Sequence, residues 1–102
     1  MVEIAHSKNN VSIRLTDERW IHIVENHDDL AGYYDEILAT IEEPDYIIQG
    51  YRDAKMALRE IKKHKYLAVV YKEISKKEGF VITAYFTTKI RLDKENILWQ
   101  GK

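Results

Sequence analysis

Residues 66–87 read YLAVVYKEISKKEGFVITAYFT, and this stretch decides the fold. Two runs rich in β-branched and aromatic residues flank the charged turn SKKEG, so the segment reads as two antiparallel strands. In the second run Phe80, Ile82, Ala84 and Phe86 share one face, expected to pack against helices, while Val81, Thr83, Tyr85 and Thr87 share the other. The first run places Leu67, Val69, Tyr71 and Glu73 together, with Tyr66, Ala68, Val70 and Lys72 opposite.

Working upstream, AKMALREI (54–61) and DYIIQGY (45–51) read as two more strands, joined by turns near Gly50–Asp53 and Lys62–Lys65. Short connections of this kind imply antiparallel neighbours. Downstream, KIRLDKEN (89–96) reads as a charged loop and ILWQ (97–100) as a short closing strand. Before the strands the period changes to that of a helix. Tyr33, Tyr34, Ile37, Leu38 and Ile41 form an apolar stripe that begins at Leu30 and ends before Pro44, the only proline. A first helix over Asp17–His27 carries Trp20, Ile23 and Val24. Thr16 is its N-cap, and Asp17 and Glu18 sit in its first turn, where the dipole favours negative charge. The Asp28–Asp29 pair separates the two helices. Val11, Ile13 and Leu15 alternate with polar residues as one N-terminal strand. The expectation is one α+β domain over residues 1–102: a strand and two helices packed on a twisted antiparallel sheet of about four strands.

Composition narrows the chemistry. The 102 residues suit one core. The absence of cysteine removes disulfides, thiolate metal sites and thiol nucleophiles. Apolar stretches are too short to cross a bilayer, and the N-terminus lacks the layout of a secretory signal. A cytoplasmic protein without membrane contact is expected. The net charge of −1 conceals an asymmetry: residues 1–53 hold 4 Lys/Arg against 12 Asp/Glu, and residues 54–102 hold 12 against 5. Such a basic half attracts phosphates, or the two halves simply attract one another as solvated faces.

No HExxH, GxSxG, GxxxxGK[ST] or GxGxxG motif occurs, and His22 and His27 are not at zincin spacing. No metal and no cofactor is expected. What remains is histidine, arginine, lysine, tyrosine and threonine. Arg19, His22 and Asn26 form one helix stripe, and His27 lies at the helix end on the Trp20–Ile23–Val24 side. His27 is either a cap residue at the helix dipole or a proton-transfer group aimed at a cleft. His22 is either a solvated histidine or a second candidate. The Thr83–Tyr85–Thr87 row is either an ordinary solvent-facing sheet surface or a line of hydroxyls for a phosphate. His6 and His64, in a tail and a turn, receive no role. This inventory suits metal-free cleavage of RNA, in which the substrate supplies its own 2′-hydroxyl.

The segment LTDERWIHIVENHDDL (15–30) resembles the LT-x-ER-W-x-HI-x-x-x-H-P-E-L opening of the phage-associated BECR nuclease-like domains, grouped with barnase, EndoU, colicin-type tRNases and RelE. IEEPDYI, YLAVVYKEI, GFVITAYFTTKI and ILW are similar to the rest of the pattern, so the likeness runs from Val11 to Trp99. The resemblance implies helices followed by a four-stranded antiparallel sheet, and a metal-independent, toxin-like ribonuclease acting on tRNA or mRNA. Carried over, Arg19, His22 and His27 match the helix motif, and Thr83, Tyr85 and Thr87 match the last long strand. Where the family continues Pro-Glu after the histidine, this chain has Asp28 and Asp29. The missing proline is expected to change only the loop, and the glutamate's part passes to a neighbouring aspartate or is lost.

The expected catalytic set is His27, with His22 as second candidate, Arg19 and Tyr85. Lys72, Tyr71, Thr83, Thr87 and Lys89 are expected to bind substrate, with Tyr71 as an alternative proton donor. RNA is the expected partner, and a small antitoxin or immunity protein a further one. The alternative from another class is a non-catalytic RNA- or protein-binding module of the same fold, for which the acidic second helix and many tyrosines speak. A structural homodimer has only Trp99 in its favour. Oligomeric state is open.

Overall fold

The computed structural model describes residues 2–101, apart from the side chain of Val2. Its elements run β1 (Val2–His6), β2 (Ser12–Thr16), α1 (Asp17–Asn26), α2 (Tyr34–Glu42), β3 (Tyr46–Gln49), β4 (Lys55–Lys62), β5 (Lys65–Glu73), β6 (Glu78–Thr87) and β7 (Ile97–Gln100). The sheet has seven strands in the order β1-β2-β6-β5-β4-β3-β7, rather than about four. It is mixed rather than wholly antiparallel, because β2 runs parallel to β6. The surplus comes from its edges. β1, read as a tail, pairs with β2 along its whole length, and β7 closes on β3.

α1 begins where the sequence places it. Thr16 adopts an extended φ of −81° and its Oγ1 accepts from the Arg19 amide at 3.1 Å, the expected N-cap. It ends at Asn26. His27, at φ −140°, still donates its amide to the Ile23 carbonyl, and its own carbonyl accepts from Leu30 in a short 3-10 turn over Asp28–Leu30. α2 stops at Glu42, two residues before Pro44.

The helices cover one face of the sheet. Ile23, Leu30, Ile37 and Ile41 meet Ile13 and Leu15 from β2, Leu67, Val69 and Tyr71 from β5, and Val81 and Ala84 from β6. A second apolar cluster lies on the opposite face: Ile48, Leu58, Tyr66 and Ala68, with Tyr46, Met56, Tyr85, Ile90 and Leu92 packed against it. The return segment after β6 supplies Ile90 and Leu92. Burial on both faces is why β5 reads as the continuous run LAVV instead of alternating.

The faces of β5 are as its alternation predicts, but those of β6 are only half so. Val70 lies opposite Thr83 and the next pair is Tyr71 with Val81, so Ile82 is a bulge with no residue opposite it. The extra residue flips the register. Val81, not Phe80, shares the helix face with Ala84 and Phe86, while Thr83, Tyr85 and Thr87 keep the opposite face.

A polar pin holds the β1–β2 turn to the sheet. The Glu73 carboxylate accepts from Ser7 Oγ at 2.6 Å and Asn9 Nδ2 at 3.1 Å, and pairs with Lys55 Nζ at 3.4 Å. Burial pushes this carboxyl up, but the Ser7, Asn9 and Lys55 donors outweigh it and hold it below its ordinary value. A carboxylate depressed by folding contributes stability above its unfolded pKa of about 4.3, and that contribution is lost as pH falls through the lower folded value. Glu73→Gln should therefore cost about 1–3 kcal/mol at pH 7. It should also flatten the acid limb of a melting-temperature profile below pH 5, which a pH series of thermal unfolding checks.

Candidate active site

β2 pairs with β6 only from Ser12 to Arg14, opposite Glu78–Phe80. Thr16 then turns the chain into α1, so among the described residues no strand pairs with that edge of β6 from Val81 to Thr87. α1 packs against β6 instead. His27, the residue that follows its last turn, is thereby delivered to the strand edge. The His27 ring lies 5.8 Å from the Tyr85 ring, centroid to centroid, with 34° between the planes. Both are half-buried. Because backbone hydrogen bonds on either side fix His27, its ring is held by the helix end rather than by a free loop.

Tyr85 looks onto the face opposite the helices. Its hydroxyl meets the Met56 Sδ at 4.0 Å, a weak acceptor. Burial, then the Glu95 carboxylate, pushes its pKa above the ordinary tyrosine value, so at neutral pH it is a protonated donor and not a base. Thr83 and Thr87 flank it on the same face, two residues to either side, and both are half-buried. Thr87 Oγ1 accepts from the amide of Lys89, whose side chain is exposed. Lys72, opposite Phe80 on β5, belongs to this face as well.

Arg19 and His22 stand apart from the pair. With Thr16 and Glu18 they line an open depression of about 240 Å³ on the first half of α1. His22 is exposed, and its carbonyl accepts from Asn26 Nδ2 at 2.8 Å, the local helix contact. Arg19 precedes His27 by eight residues, about 12 Å of helix rise, so it lies well away from the pair along α1. Tyr71 leaves the set. Its side of β5 faces the helices, it is 1% exposed, and burial followed by the Glu73 carboxylate drives its pKa upward. A phenol sealed in the core on the wrong side of the sheet neither meets substrate nor gives up a proton to it.

The charge asymmetry is spatial. Exposed Asp17, Glu18, Glu25, Asp28, Asp29, Asp35 and Glu36 lie on the helical layer, whereas Lys55, Lys62, Lys63, Lys65, Lys72, Lys76 and Lys77 lie on β4, β5 and the turns that follow them; Glu78, Asp93 and Glu95 are exposed acidic residues outside the helices. The helical layer is thus the more acidic of the two. A hollow of about 460 Å³ on the strand side, which no sequence motif announces, gathers Tyr46, Glu60, His64, Tyr66, Arg91 and Asp93. These residues come from three separated segments, and only the strand alternation of Tyr46, Glu60 and Tyr66 once the register is known could have grouped them. Among the described residues no three His, Cys, Asp or Glu side chains gather as a metal-binding group. No helix of the described residues is long and apolar enough to cross a membrane.

A mixed α+β domain with a histidine-bearing helix end laid against a hydroxyl-rich strand has the form of a nuclease-like domain. The family described as phage-Barnase-EndoU-ColicinE5/D-RelE like nuclease 2 matches residues 2–101, and the chain belongs to that family. No curated protein and no solved structure matches it significantly.

Proposed function

We propose that this chain is a metal-independent, toxin-like endoribonuclease that cleaves tRNA or mRNA by attack of the 2′-hydroxyl on the adjacent phosphate. The observation that carries the reading is the His27–Tyr85 contact at 5.8 Å, a base-capable ring beside a phenol kept protonated by its surroundings. His27 takes the 2′-hydroxyl proton as the oxygen attacks phosphorus, and Tyr85 gives its proton to the departing 5′-oxygen. The products are a 2′,3′-cyclic phosphate and a 5′-hydroxyl. Lys72 offsets the negative charge that builds on the phosphoryl oxygens. Thr83, Thr87 and Lys89 orient the phosphate.

Purified protein incubated with total tRNA in EDTA tests this. Cleavage is expected, and Tyr85→Phe should lower the rate about 100-fold, within the usual span of a general acid. Intact RNA with folded protein would sink the reading.

A second reading, a non-catalytic module that binds RNA or a small inhibitory protein, has one observation in its favour. Trp20, Ile21 and Val24 line a hollow of about 370 Å³ on the acidic helical layer, and Ile21 is 56% exposed. A stable complex with a small basic protein and no cleavage by the freed chain would favour it.

A further inference from the structure

The hollow on the strand side is built from two kinds of surface. Its apolar lining is Tyr46, Tyr66, Ile90 and Leu92, all part of the second apolar cluster. Its polar lining comes from the β4–β5 hairpin, through Glu60 and His64, and from the return segment, through Arg91 and Asp93. His64 holds the hairpin turn at φ 64°, and its amide donates to Glu60 Oε2 at 3.4 Å. Arg91 Nε is 3.6 Å from Asp93 Oδ1, but both side chains are 67% exposed, so the pair is weak and open to exchange.

The hollow also adjoins the His27–Tyr85 pair. Tyr85 packs in the same cluster as Tyr46, Tyr66, Ile90 and Leu92. Thr88, in the lining, follows Tyr85 by about 10 Å of extended chain. A volume of about 460 Å³ falls in the range of small-ligand sites. Aromatic rings beside carboxylates, with a cation at the rim, match the parts of one unstacked nucleotide. The rings take the base face, the carboxylates accept from base N–H groups, and the guanidinium meets the phosphate.

We propose that this hollow is a nucleobase subsite, which holds one unpaired nucleotide of the RNA beside the scissile bond. It rests on the ribonuclease reading for its place in catalysis. Tyr46, half-buried, provides the stacking surface, Tyr66, only 5% exposed, belongs to the packed floor of the hollow, and Arg91 contacts the attached phosphate. Glu60 and Asp93 favour bases with an exocyclic amino group, so guanine, adenine and cytosine enter better than uracil.

The test is a titration of the isotope-labelled full chain with each nucleoside 5′-monophosphate, followed by amide chemical shifts. These ligands contain no phosphodiester, so binding is read independently of cleavage. Shifts are expected at Glu60, His64, Tyr66 and Ile90–Asp93, saturating at lower concentration for GMP, AMP and CMP than for UMP. Arg91→Ser, at an exposed position, should weaken binding about tenfold, the loss of one hydrogen bond to a charged group. Shifts of equal size with ribose 5-phosphate would reduce the site to a phosphate contact and overturn the proposal. So would equal affinity for UMP, shifts confined to the Arg19–His22 depression, or no shift with any nucleotide. Expected shifts with uncut RNA would keep the subsite and remove the nuclease, and cleavage without these shifts would do the reverse.

Discussion

His27→Ala should reduce RNA cleavage by a factor of about 100 to 10,000, the span of a lost general base. The fold should survive. The contacts that position the residue, its amide to Ile23 and its carbonyl to Leu30, belong to the backbone and persist in alanine. What is lost is the ring beside Tyr85. His22→Ala is the control, because the exposed imidazole at that position lies on the depression with Arg19 and not against Tyr85. Initial rates on a single tRNA, with circular dichroism to verify folding, distinguish the two. Comparable losses from both substitutions would mean that the proton carriers have been misassigned.

The largest loss of stability should come from Gly79→Ala. Gly79 is buried in β6 opposite Glu73, where β6 lies between β5 and β2. A Cβ there would land on the Lys72 carbonyl oxygen, with Ile13 Cδ1 at 2.8 Å and Glu73 Cα at 3.0 Å. Two of these three neighbours are backbone and cannot rotate aside, so the strands must separate. Overpacking of this kind costs about 3 kcal/mol or somewhat more. For a domain of this size that lowers the melting temperature by roughly 10–20 °C. Thermal unfolding at neutral pH reads it directly. A melting temperature unchanged by the substitution would show that β5 and β6 do not approach so closely at Gly79.

Much of the fold is legible in the chain because local and tertiary signals agree there. Thr16, Asp17 and Glu18 announce α1, and Pro44 closes the second helical stripe. The runs at 46–49, 55–62, 65–73 and 78–87 declare themselves as strands through branched and aromatic residues. β1 escaped because it is a short edge strand whose Ile4 is 50% exposed, so its pattern lacks a clear buried face. It is a strand because β2 is there to pair with it. The parallel β2–β6 contact joins residues more than sixty positions apart and has no local signature. The bulge at Ile82 explains the misread half of β6, since one unpaired residue moves every side chain before it to the other face.

The candidate site divides along the same line. The residue types and the Thr83–Tyr85–Thr87 row can be read from alternation, and the helix stripe of Arg19 and His22 from periodicity. The approach of His27 to Tyr85 cannot, because it depends on β2 ending early and α1 taking its place along β6. Tyr71 was lost for the same reason: alternation puts it opposite Lys72, but only the packing tells which face the helices cover. The residues of the nucleobase hollow meet through three turns, so no motif announces them.

The most direct test of the ribonuclease account is to identify the ends left on RNA by the purified chain in EDTA. A 2′,3′-cyclic phosphate on one fragment and a 5′-hydroxyl on the other, both absent with His27→Ala, is the predicted result. Fragments that end in a 3′-hydroxyl and a 5′-phosphate, or RNA that stays whole with well-folded protein, would contradict it.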